Sequence, residues 1–199
     1  MSGVVAALRR VVADLEQMEA PTALVGGLAV SVRAEPRFTR DVDFAVAVAD
    51  DRGAERVIFA LQGLGYRTRM VLEQEATGRL ATVRLLPPRT EDEESLVDLL
   101  FASSGIEPEI VARAESLEVL PDLWVPVASI GHLIAMKLLA HDSEQRPRDA
   151  QDLLGLLAVA REEDIAEARE AIGLIAFRGY NRGKDLPSEL NHFLGRARR

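Results

Sequence analysis

Asp41 and Asp43 stand one residue apart at the head of a β-forming run, Asp41-Val42-Asp43-Phe44-Ala45-Val46. Side chains alternate along a strand, so both carboxylates leave the same face. Two carboxylates side by side repel each other unless a cation lies between them. Magnesium suits that place, because it takes hard oxygen ligands and is commonly held by one or two carboxylates plus substrate phosphates. Upstream, Gly26-Gly27 follows a short apolar run. A glycine pair at a strand-to-helix turn lets backbone N–H groups approach a phosphate with no side chain in the way. The alternative for the two aspartates is ordinary turn chemistry at a strand start.

Other charged residues fall in apolar surroundings. Asp98 is flanked by Val97, Leu99 and Leu100, where a carboxylate is costly to bury unless it is paired or metal-bound. It is therefore either a further metal ligand beside Asp41 and Asp43 or the partner of an arginine. Arg37, Thr39 and Arg40 lead directly into the Asp41 strand. A guanidinium offers a planar fork of donors suited to phosphate oxygens, although basic residues also decorate solvated loops. Lys137 is the only lysine in the apolar stretch 132–141, and Lys184 is the only other lysine of the chain. At helical spacing Lys137 shares a side with Ile130 and Leu133, so it either snorkels to water or points at an anion. Asp149 and Asp152 are three apart and share a helix face; Asp149, just after Pro147, also complements a helix N-terminus. His132, His141 and His192 have no metal-ligand spacing, and no Walker A, G-x-S-x-G or H-E-x-x-H string occurs.

The elements that must position these residues are legible from periodicity. Apolar residues at 4, 5, 8, 11, 12, 15 and 18 predict an amphipathic helix ended by Pro21. A short strand at 23–25 leads into the glycines and a helix to about Arg33, which Glu35-Pro36 breaks. Asp50-Asp51 caps a third helix. Strands are expected at 66–72, 79–86 and 95–101, with the acidic run 91–94 as a solvated loop. A helix is expected over 106–117, a hairpin over 118–127, and helices over 129–141, 147–160 and 162–177. The polar tail after Gly179 carries no expected element. The reading is an α/β domain with a mixed sheet over 1–128, followed by a small helical lobe and tail over 129–199.

The ordered combination of an apolar strand, Gly26-Gly27, a helix, Arg37-x-Thr39 and Asp41-x-Asp43 resembles the polymerase-β-like nucleotidyltransferase superfamily, and in its Arg-x-Thr string the AbiEii-type toxin branch. The resemblance covers about residues 20–160. It implies an enzyme that moves a nucleoside monophosphate from an NTP to an acceptor, with Mg2+ (two ions during catalysis) as cofactor. Asp41 and Asp43 would be metal ligands, and Asp98 the third carboxylate that serves as base or ligand. Lys137, Arg146 or Arg148, Asp149 and Asp152 match a second motif of the branch. Gly26, Gly27, Arg37, Thr39, Lys137, Arg148, Asp149 and Asp152 would then serve the nucleotide, with Arg40 filling the variable position. Leu28 departs from the pattern, since many relatives carry Ser or Thr after the glycines. The branch also implies a toxin role with an antitoxin protein as partner.

Composition sets outer limits. The 199 residues are 48% hydrophobic and carry a net charge of -8, enough for one substantial core and unfavourable to general adhesion to nucleic acid or membrane. The absence of cysteine excludes disulfides and thiolate zinc sites. No apolar run reaches a membrane span and no secretory h-region opens the chain, so a cytoplasmic protein is expected. An RNA acceptor such as a tRNA end would need gathered arginines. Arg67 and Arg69 share a strand face, Arg79 and Arg84 point oppositely, and Arg196, Arg198 and Arg199 lie in the tail. The rival expectations are a catalytically inactive nucleotide-binding module and an antitoxin-like protein-interaction partner of the same fold.

Overall fold

The computed structural model describes residues 2–88, 95–142 and 147–197; the acidic run 91–94, Arg146, Arg198 and Arg199 lie outside them. The order is α1 (Ser2–Gln17), β1 (Thr22–Val25), α2 (Gly26–Arg33), β2 (Asp41–Val46), α3 (Asp51–Gly63), β3 (Arg67–Glu73), β4 (Leu80–Leu86), β5 (Leu96–Leu100), α4 (Glu107–Ala112), β6 (Glu115–Leu120), β7 (Leu123–Val127), α5 (Ile130–Ala140), α6 (Pro147–Val159), α7 (Glu162–Phe177) and α8 (Leu186–Ala197). The strands form one mixed sheet in the order β3-β4-β5-β2-β1-β7-β6. β2, the strand with the paired aspartates, is central: it runs antiparallel to β1 and parallel to β5.

Alternation gives β2 two unlike faces. Val42, Phe44 and Val46 are buried on the face opposite Asp41 and Asp43. Phe44 meets Val12 and Leu15 of α1 and Val111 of α4 around an apolar cavity of about 350 Å³. That cavity is therefore on the far side of the strand from the carboxylates. Buried side chains of the sheet and of α5 to α8 join in one cluster.

Local sequence explains the element starts. Asp50 caps α3 by accepting from the Gly53 N–H at 2.9 Å, and Ser129 caps α5 by accepting from the His132 N–H at 3.3 Å. α5 is apolar on most sides and buries Leu133, Ile134, Leu138 and Leu139, as a helix enclosed by others must. Its C-terminal carbonyls are closed from outside the helix. Lys184 Nζ donates to Leu139 O at 2.9 Å, to Leu138 O at 3.4 Å and to His141 O.

Two expectations need correction. The helix predicted over 106–117 stops at Ala112, and Glu115 already belongs to β6; short half-apolar runs do not decide between the two periods. The tail contains α8, whose Leu186, Leu190 and Phe193 are buried. Asp185 accepts from the Ser188 N–H at 3.1 Å and so closes the start of that helix. Among the described residues no helix is long and apolar enough to cross a membrane.

Candidate active site

Register across three strands builds the carboxylate face. Asp43 of β2 pairs with Asp98 of β5, and Asp98 pairs with Arg84 of β4. Paired positions on neighbouring strands present side chains to the same face, so Arg84, Asp98, Asp43 and Asp41 share one side of the sheet. Arg84 grips Asp98 with both ends of its fork, Nε to Oδ1 at 2.8 Å and Nη2 to Oδ2 at 2.7 Å. The arginine partner considered for Asp98 is therefore Arg84.

β1 delivers the glycine turn to the same place. Val25 lies opposite Asp43, and Gly26 follows with φ +65, a left-handed conformation that favours glycine. A Cβ on Gly26 would overlap the Asp43 carboxylate. The Gly27 N–H faces that same carboxylate and helps to hold its proton affinity down, so the amide expected to meet a phosphate lies beside Asp43. A Cβ on Gly27 would come within 2.6 Å of Arg37 Nη2 and 3.0 Å of Thr39 Oγ1. The glycine pair thus makes room for an acid on one side and for Arg37 and Thr39 on the other. Gly26→Ala is expected to cost at least about 2 kcal/mol of stability, from left-handed strain plus the overlap. It should also displace Asp43 and remove transfer activity; unfolding in urea and nucleotide-transfer assays measure the two effects. Wild-type values in both would show that the close approach is unimportant.

Burial pushes the Asp43 carboxyl up to about 7, helped by the neighbouring charges of Asp98 and Asp41 and opposed by Lys137 and the Gly27 N–H. Asp41 is also raised, chiefly by burial, with Arg84 acting against the shift and Asp98 reinforcing it. Arg84 is held protonated most of all by its hydrogen bonds to Asp98.

The basic residues of the second motif form a network above this face. Lys137 Nζ lies 2.7 Å from both Asp149 Oδ1 and Asp152 Oδ2. Arg37 reaches the same Asp152, with Nε 2.7 Å from Oδ1 and Nη2 donating to Oδ2 at 2.9 Å. Ser31 fixes the Arg37 segment: its Oγ accepts from the Arg37 N–H at 3.2 Å and donates to Gly27 O at 3.0 Å. Asp149 and Asp152 are buried and face Lys137 as their three-residue spacing suggests. The structure therefore brings together Gly26, Gly27, Arg37, Thr39, Asp41, Asp43 and Asp98, with Lys137, Asp149 and Asp152 beside them. Arg40 and Arg148 are exposed, Arg40 with its guanidinium over the Phe38 ring and its charge acting on Asp41.

Among the described residues no group of three carboxylate or imidazole side chains is placed to hold one metal ion. The Asp41–Asp43 pair nevertheless fits a magnesium ion, because two mutually repelling acids whose protons are held up by burial are relieved by a cation, and substrate phosphates supply further ligands. Asp98 lies beside this pair with both its oxygens engaged by Arg84.

Sequence reasoning missed two residues of this site. The sequence offers Arg84 only as one of several arginines for an RNA acceptor, because its register with Asp98 depends on strand pairing. Lys184 closes the helix that carries Lys137, and its rarity in an arginine-rich chain was the available signal. The arginine grouping also changes. A register shift between Thr68 and Met70 interrupts the alternation that would put Arg67 and Arg69 on one face, and Arg79 pairs with Asp51 at 3.1 Å.

Solved structures share the fold. The lincosamide antibiotic adenylyltransferase LnuA, bound to lincomycin, is 16% identical, with 77% of this chain and 96% of that chain covered at a TM-score of 0.50. An antigenic nucleotidyltransferase-like protein from Paracoccidioides brasiliensis is 15% identical, covering 98% and 93% at 0.55. The antibiotic-resistance factor ANT(2'')-Ia is 17% identical, covering 94% and 97% at 0.51. No curated protein sequence matches the chain. The family model for the nucleotidyl transferase AbiEii toxin of type IV toxin–antitoxin systems matches residues 7–197, which takes in the tail as well as the motifs. The chain belongs to that family of nucleotidyltransferases.

Proposed function

We propose that the protein transfers a nucleoside monophosphate from an NTP to a hydroxyl of RNA or protein, with magnesium, as the cytoplasmic toxin of a toxin–antitoxin pair. The observation that carries this reading is the alignment of Asp43 with Asp98 directly beside the Gly26-Gly27 turn. Asp41 and Asp43 would hold magnesium, which when bound neutralises triphosphate charge and polarises the reacting phosphoryl group.

The chain's own groups do the rest. Arg37 and Lys137 are paired to Asp152 and Asp149 in this structure. A triphosphate competes for the same donors, so these acids keep the cations oriented until nucleotide binds. Thr39, at the edge of the Gly27 turn, adds a hydroxyl. Asp98 is the acid nearest in register to the metal pair and serves as base or as third ligand. In transfer the acceptor oxygen bonds to the α-phosphorus, the bond from that phosphorus to the pyrophosphate oxygen breaks, and the hydroxyl proton passes to the base. Residues 1–128 supply the carboxylates and the glycine turn, and the lobe 129–199 supplies Lys137.

Incubation with each α-labelled NTP, total RNA and total protein tests the reading. Labelled RNA ends or a labelled protein are expected, with label lost when magnesium is chelated. If RNA is the acceptor, few phosphate contacts are made and labelling should fall only shallowly with salt, each phosphate contributing a slope of about -0.7 to -0.9. NTP binding without any labelled product would sink the transfer reading and leave a nucleotide-binding module.

A further inference from the structure

We propose that Arg84 is the second cation of this active site, occupying on Asp98 the place of one of the two divalent ions, so that nucleotide is bound and turned over with a single divalent ion on Asp41 and Asp43. The proposal rests on the nucleotidyltransferase reading above and departs from it in the number of ions.

Four observations carry it. Arg84 holds Asp98 through two short, parallel hydrogen bonds of 2.8 and 2.7 Å, the bidentate geometry that adds both strength and direction. The two residues are register partners on adjacent strands, so backbone pairing supports the contact from both sides and neither residue is carried on a loop. Asp98 is only 7% exposed, so its carboxylate depends on Arg84 more than on water for its hydrogen bonds. Finally, no group of three acids among the described residues is placed to hold one metal ion.

The chemistry follows from what guanidinium is. It stays charged in proteins, so Asp98 is permanently neutralised with or without metal. A divalent ion on the same carboxylate would face that fixed positive charge at short range. Among the described residues the Asp41–Asp43 pair has no such bidentate arginine, and an ion is admitted there. Each Asp98 oxygen keeps a lone pair beyond the one Arg84 uses, so Asp98 is able to accept an acceptor hydroxyl while its arginine remains in place. Arg84 thereby positions Asp98 as a hydrogen-bond acceptor and removes it from the ligand set.

Counting manganese ions tests this directly. Free Mn2+ is followed by electron paramagnetic resonance during titration of the protein with each of the four non-hydrolysable α,β-methylene triphosphates. The wild-type chain is expected to bind one Mn2+ per bound nucleotide. Arg84→Gln, which exposes Asp98 to a new cation, is expected to bind two. Asp98→Asn is expected to stay at one, and the wild-type count remains decisive if Arg84→Gln fails to fold. Two ions in the wild type, or one ion in Arg84→Gln when its fold is intact, would overturn the proposal. No Mn2+ bound to the wild type with any triphosphate would instead overturn the metal reading of Asp41 and Asp43 on which it depends.

Discussion

Asp43→Asn is expected to abolish nucleotide transfer, by at least about a thousandfold, while making the metal-free protein more stable above neutral pH. The activity loss follows from removing one of the two acids proposed to hold the ion. The stability gain follows from the Asp43 environment, where burial and the charges of Asp98 and Asp41 push the carboxyl up to about 7. Its value in the unfolded chain is the ordinary one near 3.8. A carboxyl raised on folding binds its proton more tightly in the native state, so the folded protein is favoured fully below the unfolded value. That advantage is lost as pH rises from about 4 through about 7. Asparagine resembles the protonated acid at every pH. The variant and wild type should therefore melt together near pH 4, and the variant should melt higher at pH 8 by a few kcal/mol of stability. Magnesium with NTP should reverse the order, because only the wild type gains from an ion bound to the native state alone. Melting curves at pH 4 and pH 8, with and without magnesium and nucleotide, read all of this. A variant that melts lower than wild type at pH 8 without metal would make Asp43 a structural residue.

How much of this was legible in the sequence depends on the range over which each feature is decided. Gly26-Gly27, Arg37, Thr39 and the Asp41–Asp43 alternation are local patterns, and they fold where the local rules place them. The three-residue spacing of Asp149 and Asp152 likewise predicts a shared face. That this face meets Lys137 depends on how α6 packs against α5, which spacing alone leaves open. Asp98 was visible as a costly acid in an apolar run, but its partner was not. The parallel pairing of β5 with β2 and the antiparallel pairing with β4 set both its neighbours, and register between distant strands is not written in either strand. β3 shows the same limit at short range, where one inserted residue at a bulge defeats an argument from parity. α8 is a different case. Asp185 as cap, Pro187 in the first turn and apolar residues at 186, 190 and 193 were all present, yet the surrounding polar residues masked a helix that buries Leu186, Leu190 and Phe193.

Lys137→Met is expected to impair nucleotide binding and stability together, which distinguishes the observed network from a lysine that merely snorkels to water. A snorkelling lysine keeps its stem packed and its head solvated, and methionine replaces it at little cost. Here the ammonium is 2.7 Å from both Asp149 and Asp152, whose side chains are 9% and 3% exposed. Removing one partner of a buried ion pair leaves a buried charge uncompensated, which typically costs about 3–5 kcal/mol. Arg37 still reaches Asp152, so the lower end, about 3 kcal/mol, is expected, and Tm should fall by roughly 6–12 °C for a chain of this size. The double variant Lys137→Met with Asp149→Asn should recover part of that stability, since the acid left without its lysine is neutralised. It should not recover nucleotide affinity, because the positive charge facing the triphosphate is still missing. Thermal melting and equilibrium nucleotide binding on the wild type, both single variants and the double variant complete the cycle. Stability lost with nucleotide affinity intact would make Lys137 a purely structural cation. An unchanged Tm would mean that the two acids are satisfied without it, and the paired arrangement of the second motif would then not be what holds α5 to α6.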